Sequence, residues 1–144
     1  MKVQSVLDLK GTRVATIRPD TVISTAAAQL HIERIGAFVV SDDGETVQGI
    51  ISERDISHGV GHHGGDVARL RVADLMTHHV HTCAPGDSLK HAMYLMNQHR
   101  VRHLPVVEKG RLVGIITIGD VLKNRLEEVE MEASVLRDAY VATH

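Results

Sequence analysis

Apolar residues recur at helical spacing in two stretches of the chain, one in each half. The apolar positions are Ile23, Ala26, Ala27 and Leu30 in the first stretch and Leu89, Ala92, Met93 and Met96 in the second. Thr21 and Asp87 stand just before these stretches and are suitable helix N-caps. We therefore predict two amphipathic helices, which end near Arg34 and Arg100.

Each predicted helix is followed by two short apolar runs with the length and turn signals of β-strands. The turns between these runs contain Asp43-Gly44 and Lys109-Gly110. An extended stretch precedes each helix, so each half is predicted to be β-α-β-β-α and the fold class is predicted to be α+β. The predicted strands after the helices are Ala37–Val40 and Val47–Ser52 in the first half and Leu104–Val107 and Arg111–Thr117 in the second.

The two halves are copies of one unit. Gly49–Ile56, with the sequence GIISERDI, matches Gly114–Val121, with the sequence GIITIGDV. The lead-in VLDL at 6–9 likewise matches VADL at 72–75. The extended stretches that end at Pro19 and Pro85 also correspond, so the same order of segments occurs twice.

The repeat divides the chain into a first unit with its linker at 1–66, a second unit at 67–125 and a C-terminal helix at 126–144. The Gly- and His-rich segment Gly59–Asp66 is predicted to be the loop that joins the units. The C-terminal helix carries an apolar seam with alternating spacings of four and three residues. This seam either packs back on its own domain or helps two chains to dimerise. Its members are Leu122, Leu126, Val129, Ala133, Leu136 and Tyr140.

Composition and charge narrow the classes of protein that fit. The net charge of −2 does not favour nucleic-acid binding, which usually needs a basic surface. No apolar run approaches the length of a membrane helix, and the N-terminus lacks the apolar region of a secretory signal. The single cysteine, Cys83, excludes an internal disulfide and is typical of a reducing compartment, so we expect a cytoplasmic protein.

Two hydroxyl–acid pairs, Ser52 with Asp55 and Thr117 with Asp120, lie where a strand is predicted to lead into a helix. Such a pair is typical of a capping box, which satisfies free N–H groups at a helix N-terminus. The same place also suits a nucleotide, because a carboxylate accepts hydrogen bonds from ribose hydroxyls and a helix N-terminus binds phosphate. The two interpretations are compatible, since one hydroxyl can serve both purposes.

On these motifs, together with Val101-Arg102-His103-Leu104-Pro105-Val106, the chain resembles the CBS (cystathionine-β-synthase) domain family in its tandem form, the Bateman module. The resemblance covers roughly residues 3 to 125, and the first copy departs from it by having Val39 where the second has Pro105. It implies two pseudo-symmetric units that pack through their sheets, with two clefts at the junction. It also implies an adenosyl ligand (AMP, ATP or NAD(H), with S-adenosylmethionine less favoured), a homodimer and an effector protein.

The resemblance implies that each cleft combines residues of both units. The first cleft would hold the ribose at Asp55, the phosphates near Ser52 and Arg54, and the adenine against Val80, Val101, Arg102 and His103. The reciprocal cleft would use Thr117, Gly119 and Asp120, with Thr12, Val14, Ile35, Gly36 and Ala37 around the base. Arg54 has Gly119 as its counterpart, which predicts that the Asp55 cleft prefers a ligand with more phosphate groups.

Other chemistries have weaker support in the sequence. Histidines 62, 63, 78, 79 and 81 lack the spacing of zinc ligands, so we expect no metal site. Cys83 is expected to be a small core residue, and with no nucleophile–base pair in view we expect no enzyme. The alternative to a nucleotide sensor is an interaction or dimerisation module whose clefts are vestigial.

Overall fold

The computed structural model describes residues 1–143, so His144 of the predicted C-terminal helix lies outside the described residues. The helices are α1 (Val3–Lys10), α2 (Ile23–Glu33), α3 (Glu53–His63), α4 (Val72–Leu75), α5 (Leu89–His99) and α6 (Ile118–Thr143), with a 3₁₀ helix at Gly64–Arg69. The strands are β1 (Thr16–Ile17), β2 (Ala37–Val40), β3 (Gly49–Ser52), β4 (His103–Glu108) and β5 (Arg111–Thr117). The α+β class is therefore confirmed. The predicted order β-α-β-β-α is found in the first half, whereas the second half, within the described residues, lacks the first strand.

Each half is built on an antiparallel strand pair. In the first half β2 pairs with β3, and the short β1 adds to β2 in parallel, with Ile17 opposite Val40. In the second half β4 pairs with β5, with a bulge between Val106 and Val107. The stretch before Pro85 contributes only one bridge, from Cys83 to Val106, where the first half has a strand.

Two apolar cores lie against these sheets, and each short lead-in helix packs into the core of the other half. Val3, Val6 and Leu7 of α1 join the second core, which includes Leu104 and Ile116. Val72 of α4 joins the first core, which is centred on Phe38 and Ile51. The halves therefore exchange α1 and α4. The chain-order boundaries at 66, 67, 125 and 126 stay a prediction.

The prediction of a loop at Gly59–Asp66 is wrong. Helix α3 continues to His63, and the 3₁₀ helix follows it directly. Gly59 is buried, and a Cβ there would lie 2.7 Å from Leu75 Cδ1 and 2.9 Å from Val67 Cγ2. This glycine therefore permits close packing of α3 against the next two elements rather than marking a flexible connection.

The predicted caps of α2 and α5 are also wrong by one residue. Val22 and Ser88 are the N-caps, and the Ser88 hydroxyl accepts a hydrogen bond from the His91 amide at 3.0 Å. Asp87 instead accepts from the Ala84 amide at 2.8 Å, within the preceding turn. The helix ends agree with the prediction, since both are followed by an arginine in the left-handed conformation.

Strand β3 begins at Gly49 rather than at the predicted Val47. The preceding residues form a loop in which the Asp43 carboxylate accepts hydrogen bonds from the amides of Glu45 and Thr46 at 2.8 Å each. These bonds hold the pKa of Asp43 well below its usual range. The loop thus satisfies its own backbone groups locally and does not extend the strand.

Candidate functional site

A cavity of about 470 Å³ lies between the two halves. From the first half it is lined by the end of β3 and the start of α3, and from the second half by segments 77–81 and 99–103. All residues predicted for the Asp55 cleft line it: Ser52, Arg54, Asp55, Val80, Val101, Arg102 and His103. The fold thus brings together side chains that the sequence places up to 51 positions apart.

Asp55 and Ser52 form a capping box at the N-terminus of α3, as one of the two interpretations predicted. Asp55 Oδ2 accepts hydrogen bonds from the Ser52 amide at 2.9 Å and the Ser52 hydroxyl at 3.0 Å. The Thr77 hydroxyl donates to Asp55 Oδ1 at 3.2 Å. The cap fixes the Asp55 carboxylate at the cavity wall, beside the electropositive end of a helix. Thr77, which lies in the other half of the chain, was not among the predicted site residues.

Basic side chains outnumber acidic ones around this cavity. The guanidinium of Arg54 donates to the Arg100 carbonyl at 3.1 Å, which links α3 to the end of α5. Glu53 and Asp55 are the acids among the lining residues. The basic or titratable nitrogen groups among them are Arg54, Arg100, Arg102, His79, His81, His99 and His103. Such a surface favours an anionic ligand.

His81 and His99 stack on each other, and the pKa values of His81 and His103 are lowered. The rings of His81 and His99 lie parallel, with centroids 3.5 Å apart. Burial, followed by the charges of His99 and His79, lowers the pKa of His81. Burial, followed by the charges of Lys10 and Arg102, lowers the pKa of His103. Both rings are therefore biased toward the neutral form, which leaves flat, weakly polar faces on the cavity wall.

The remaining wall is apolar. Val80 and Val101 come from the second half and Ile50 from β3, and all three are half-buried. A flat heterocyclic base buries its faces well against small aliphatic side chains of this kind. The cavity therefore combines an apolar wall, a fixed carboxylate and a basic rim.

The reciprocal cleft assembles only in part. A second cavity of about 500 Å³ is lined by four of its predicted residues, Ile35, Gly36, Ala37 and Thr117, together with Lys10, Arg13 and Arg34. Among the described residues, Thr12, Val14, Gly119 and Asp120 do not line this cavity. Val14 instead lines a separate depression beside Phe38.

Lys10 forms an ion pair with Asp120, which does not line the second cavity. Its ammonium lies 2.6 Å from Asp120 Oδ2 and donates to the Ile115 carbonyl at 3.0 Å. The same carboxylate oxygen accepts from the Thr117 amide at 2.9 Å in a second hydroxyl–acid cap. Lys10 belongs to α1, the helix that packs into the other half. The two acids thus differ in their partners: Asp120 pairs with a cation, whereas Asp55, among the described residues, accepts only from neutral groups, the Ser52 amide and the hydroxyls of Ser52 and Thr77.

Gly36 and His103 line both cavities and separate them. A Cβ at Gly36 would lie 3.2 Å from both Cε1 and Nε2 of His103, so a larger residue would push the imidazole aside.

Cys83, which was expected to be a core residue, is buried in the second core.

Two kinds of feature are absent from the described residues. Within residues 1–143, no three His, Cys, Asp or Glu side chains cluster closely enough to hold a metal ion. Over the same residues, no helix is both long and apolar enough to cross a membrane.

The chain belongs to the CBS domain family, whose model matches residues 6–61 and 72–127. It is 34% identical over 122 residues to the CBS domain-containing protein YhcV of Bacillus subtilis, covering 85% of this chain and 86% of that protein. The crystal structure of the CBS-domain containing protein ATU1752 from Agrobacterium tumefaciens superposes with a TM-score of 0.83 at 43% identity, covering 86% and 92% of the two chains. The chain is thus a CBS pair, a regulatory module.

Two further matches differ in what they share with the chain. The CBS pair of MJ0100, solved with 5′-methylthioadenosine and S-adenosyl-L-methionine, has the same fold, with a TM-score of 0.77 at 22% identity and coverage of 89% and 98%. Inosine-5′-monophosphate dehydrogenase of Methanocaldococcus jannaschii is 34% identical over 114 residues, but this region is 78% of the present chain and only 22% of that enzyme.

Proposed function

We propose that this CBS pair is a regulatory module that binds one adenosine nucleotide in the cavity at Asp55. The proposal rests chiefly on one observation: side chains from both halves meet at a fixed carboxylate, a basic rim and an apolar wall. Asp55 receives the ribose hydroxyls, Val80 and Val101 contact the adenine, and Ser52, Arg54 and Arg102 bind phosphate oxygens. The adenosyl ligands of the MJ0100 pair agree with this class of ligand.

The basic rim favours phosphate-bearing ligands, namely AMP, ATP or NAD(H). S-adenosylmethionine is less favoured, because its sulfonium and ammonium groups would face Arg54, Arg100 and Arg102. Asp120, the acid of the reciprocal cleft, is paired with Lys10 and does not line the second cavity. The expected stoichiometry is therefore one nucleotide per chain.

A ligand in this cavity touches both halves, so it favours the relative arrangement of the halves that fits it best. An effector protein that recognises this arrangement would receive the signal, provided that the ligand binds two arrangements with different affinity. We also propose that the protein forms a homodimer and is located in the cytoplasm. The single buried thiol of Cys83 agrees with a reducing compartment.

The internal repeat supplies a matched pair of variants for the test. Asp55→Asn keeps an oxygen that accepts from the Ser52 amide, so the helix cap persists, but the negative charge that holds the ribose is lost. Asp120→Asn makes the same change at the duplicate position. With ATP as the probe, we expect Asp55→Asn to bind about tenfold more weakly, as for loss of a charged hydrogen bond, and Asp120→Asn to bind like the unmodified protein.

Ligand-induced shifts of the thermal midpoint report this difference, because a ligand stabilises the folded state according to its affinity. Equal shifts for the two variants would place the nucleotide elsewhere. If ligand-free, unmodified protein gave no shift with any nucleotide, the chain would be an interaction module with vestigial clefts.

A further inference from the structure

The outer half of α6 projects from the body of the protein. Val121 and Asn124 near its start are buried, and Glu128 forms an ion pair with the N-terminal ammonium of Met1 at 3.0 Å. Every side chain described from Val129 to Ala142 is exposed. An isolated helix of this length is marginally stable in water, so a covered face would stabilise it.

The predicted apolar seam lies along the exposed side of this helix. Leu126 is 61% exposed, Val129 is 51% exposed and Leu136 is 72% exposed. The first interpretation of the seam, that it packs back on its own domain, therefore fails at these residues. In heptad terms Leu126 and Ala133 are a positions, and Leu122, Val129 and Leu136 are d positions. This is the pattern of a two-stranded coiled coil.

The charges beside the seam are complementary for one orientation. In a parallel pair, a g position of one helix faces the e position five residues later on the other helix. The g positions Arg125 and Glu132 would then face Glu130 and Arg137 of the second copy. Arg125 also contacts Glu128 of its own helix at 2.6 Å, but its guanidinium has further N–H donors.

The opposite orientation brings like charges together. In an antiparallel pair centred near Glu130, this residue would face its own copy, and Lys123 would face Arg137 of the second chain. Like charges across an interface oppose that arrangement and so contribute specificity. The charge pattern therefore distinguishes the two orientations even though the apolar seam serves both.

We propose that two copies of this chain associate through α6 in parallel, with the seam from Leu122 to Leu136 at the interface. The pairing places both modules at the same end of the helix pair. It does not depend on the proposed nucleotide site, so either proposal can fail alone.

Single cysteines test the orientation, because a parallel pair brings each seam residue next to its own copy. Leu126→Cys and Leu136→Cys should each form a disulfide-linked dimer under mild oxidation, since their Cα atoms then lie within disulfide range. The native thiol does not interfere: burial raises the pKa of Cys83 to about 12, so it is not a thiolate at neutral pH. Cross-linking at neither position, or only in a mixture of the two variants, would overturn the parallel pairing.

Exchanging the charges of Glu132 and Arg137 tests whether these residues pair across the proposed interface. Glu132→Arg should weaken the dimer, as should Arg137→Glu, and the double exchange should restore it, as measured by sedimentation equilibrium. Leu136→Glu should abolish the dimer without unfolding the chain, because this side chain is already exposed. Met131→Glu is the matched control: it is 70% exposed on the opposite face of α6, and the dimer should persist. An unmodified protein that sediments with the mass of one chain would contradict the proposal outright.

Discussion

Lys10 shows how one residue makes the two copies of a repeat unequal. By the matching lead-ins at 6–9 and 72–75, the counterpart of Lys10 is Met76. Met76 packs against the first core and cannot pair with a carboxylate, so Asp55 accepts from the Thr77 hydroxyl instead. Lys10, in contrast, holds Asp120 at 2.6 Å. The acids of the two motifs are identical, but Asp120 pairs with a cation and Asp55 with neutral groups, because a different lead-in segment reaches each of them.

Lys10→Met introduces at position 10 the residue found at the corresponding position 76, and it should remove the ion pair with Asp120. The half-exposed ion pair contributes less than about 1 kcal/mol to folding, so the protein should remain folded. We expect calorimetric titration with a nucleotide to show a second binding event per chain. An unchanged single-site isotherm would show that Lys10 does not close the second cavity.

Arg54 is the second residue that distinguishes the copies, since its counterpart is Gly119. Arg54→Ala should weaken ATP binding by about tenfold, the effect of removing one charge-assisted hydrogen bond, and change AMP binding by less than about threefold. Arg13→Ala, which removes the same charge beside the second cavity, serves as the control. An equal loss of affinity for ATP and AMP would contradict a role for Arg54 at the outer phosphates.

At the scale of elements, the sequence predicted the strands and amphipathic helices well, because their apolar spacing is local information. Strand β2 spans the predicted Ala37–Val40, and β5 spans the predicted Arg111–Thr117. The error at Gly59–Asp66 has a physical cause: glycine permits both a loop and a close helix contact, and composition cannot tell them apart. The neighbours that decide between them, Leu75 and Val67, become visible only in the fold.

Two glycines of α3 test this explanation. Gly59→Ala should destabilise the fold by about 1–3 kcal/mol, because its Cβ would overpack against Leu75. A Cβ at Gly61 would meet no atom of the described residues within 4 Å, so Gly61→Ala should stabilise the helix by about 0.4–1 kcal/mol. Urea unfolding measures both changes. Destabilisation of similar size at the two positions would show that close packing at Gly59 is not the cause.

At the scale of the whole molecule, the exchange of α1 and α4 ties the two halves together and shapes both cavities. The internal repeat indicated two units, and the resemblance to the CBS family implied which residues form the first cleft. The sequence did not indicate that α1 would pack on the second half. That contact joins residues about 100 positions apart, and no local pattern reports it. The prediction that Asp120 binds a ribose did not take this contact into account. The contact brings the Lys10 ammonium to the Asp120 carboxylate.

We propose above that one phosphate-bearing adenosine nucleotide binds between the halves. The most direct measurement is isothermal calorimetry of ligand-free protein with AMP, ATP, NADH and S-adenosylmethionine in turn. We expect saturable binding at one site per chain for phosphate-bearing nucleotides, tighter for ATP than for AMP, and weaker binding of S-adenosylmethionine than of any of them. Absence of binding by all three phosphate-bearing nucleotides would show that the cavity between the halves is not a nucleotide site.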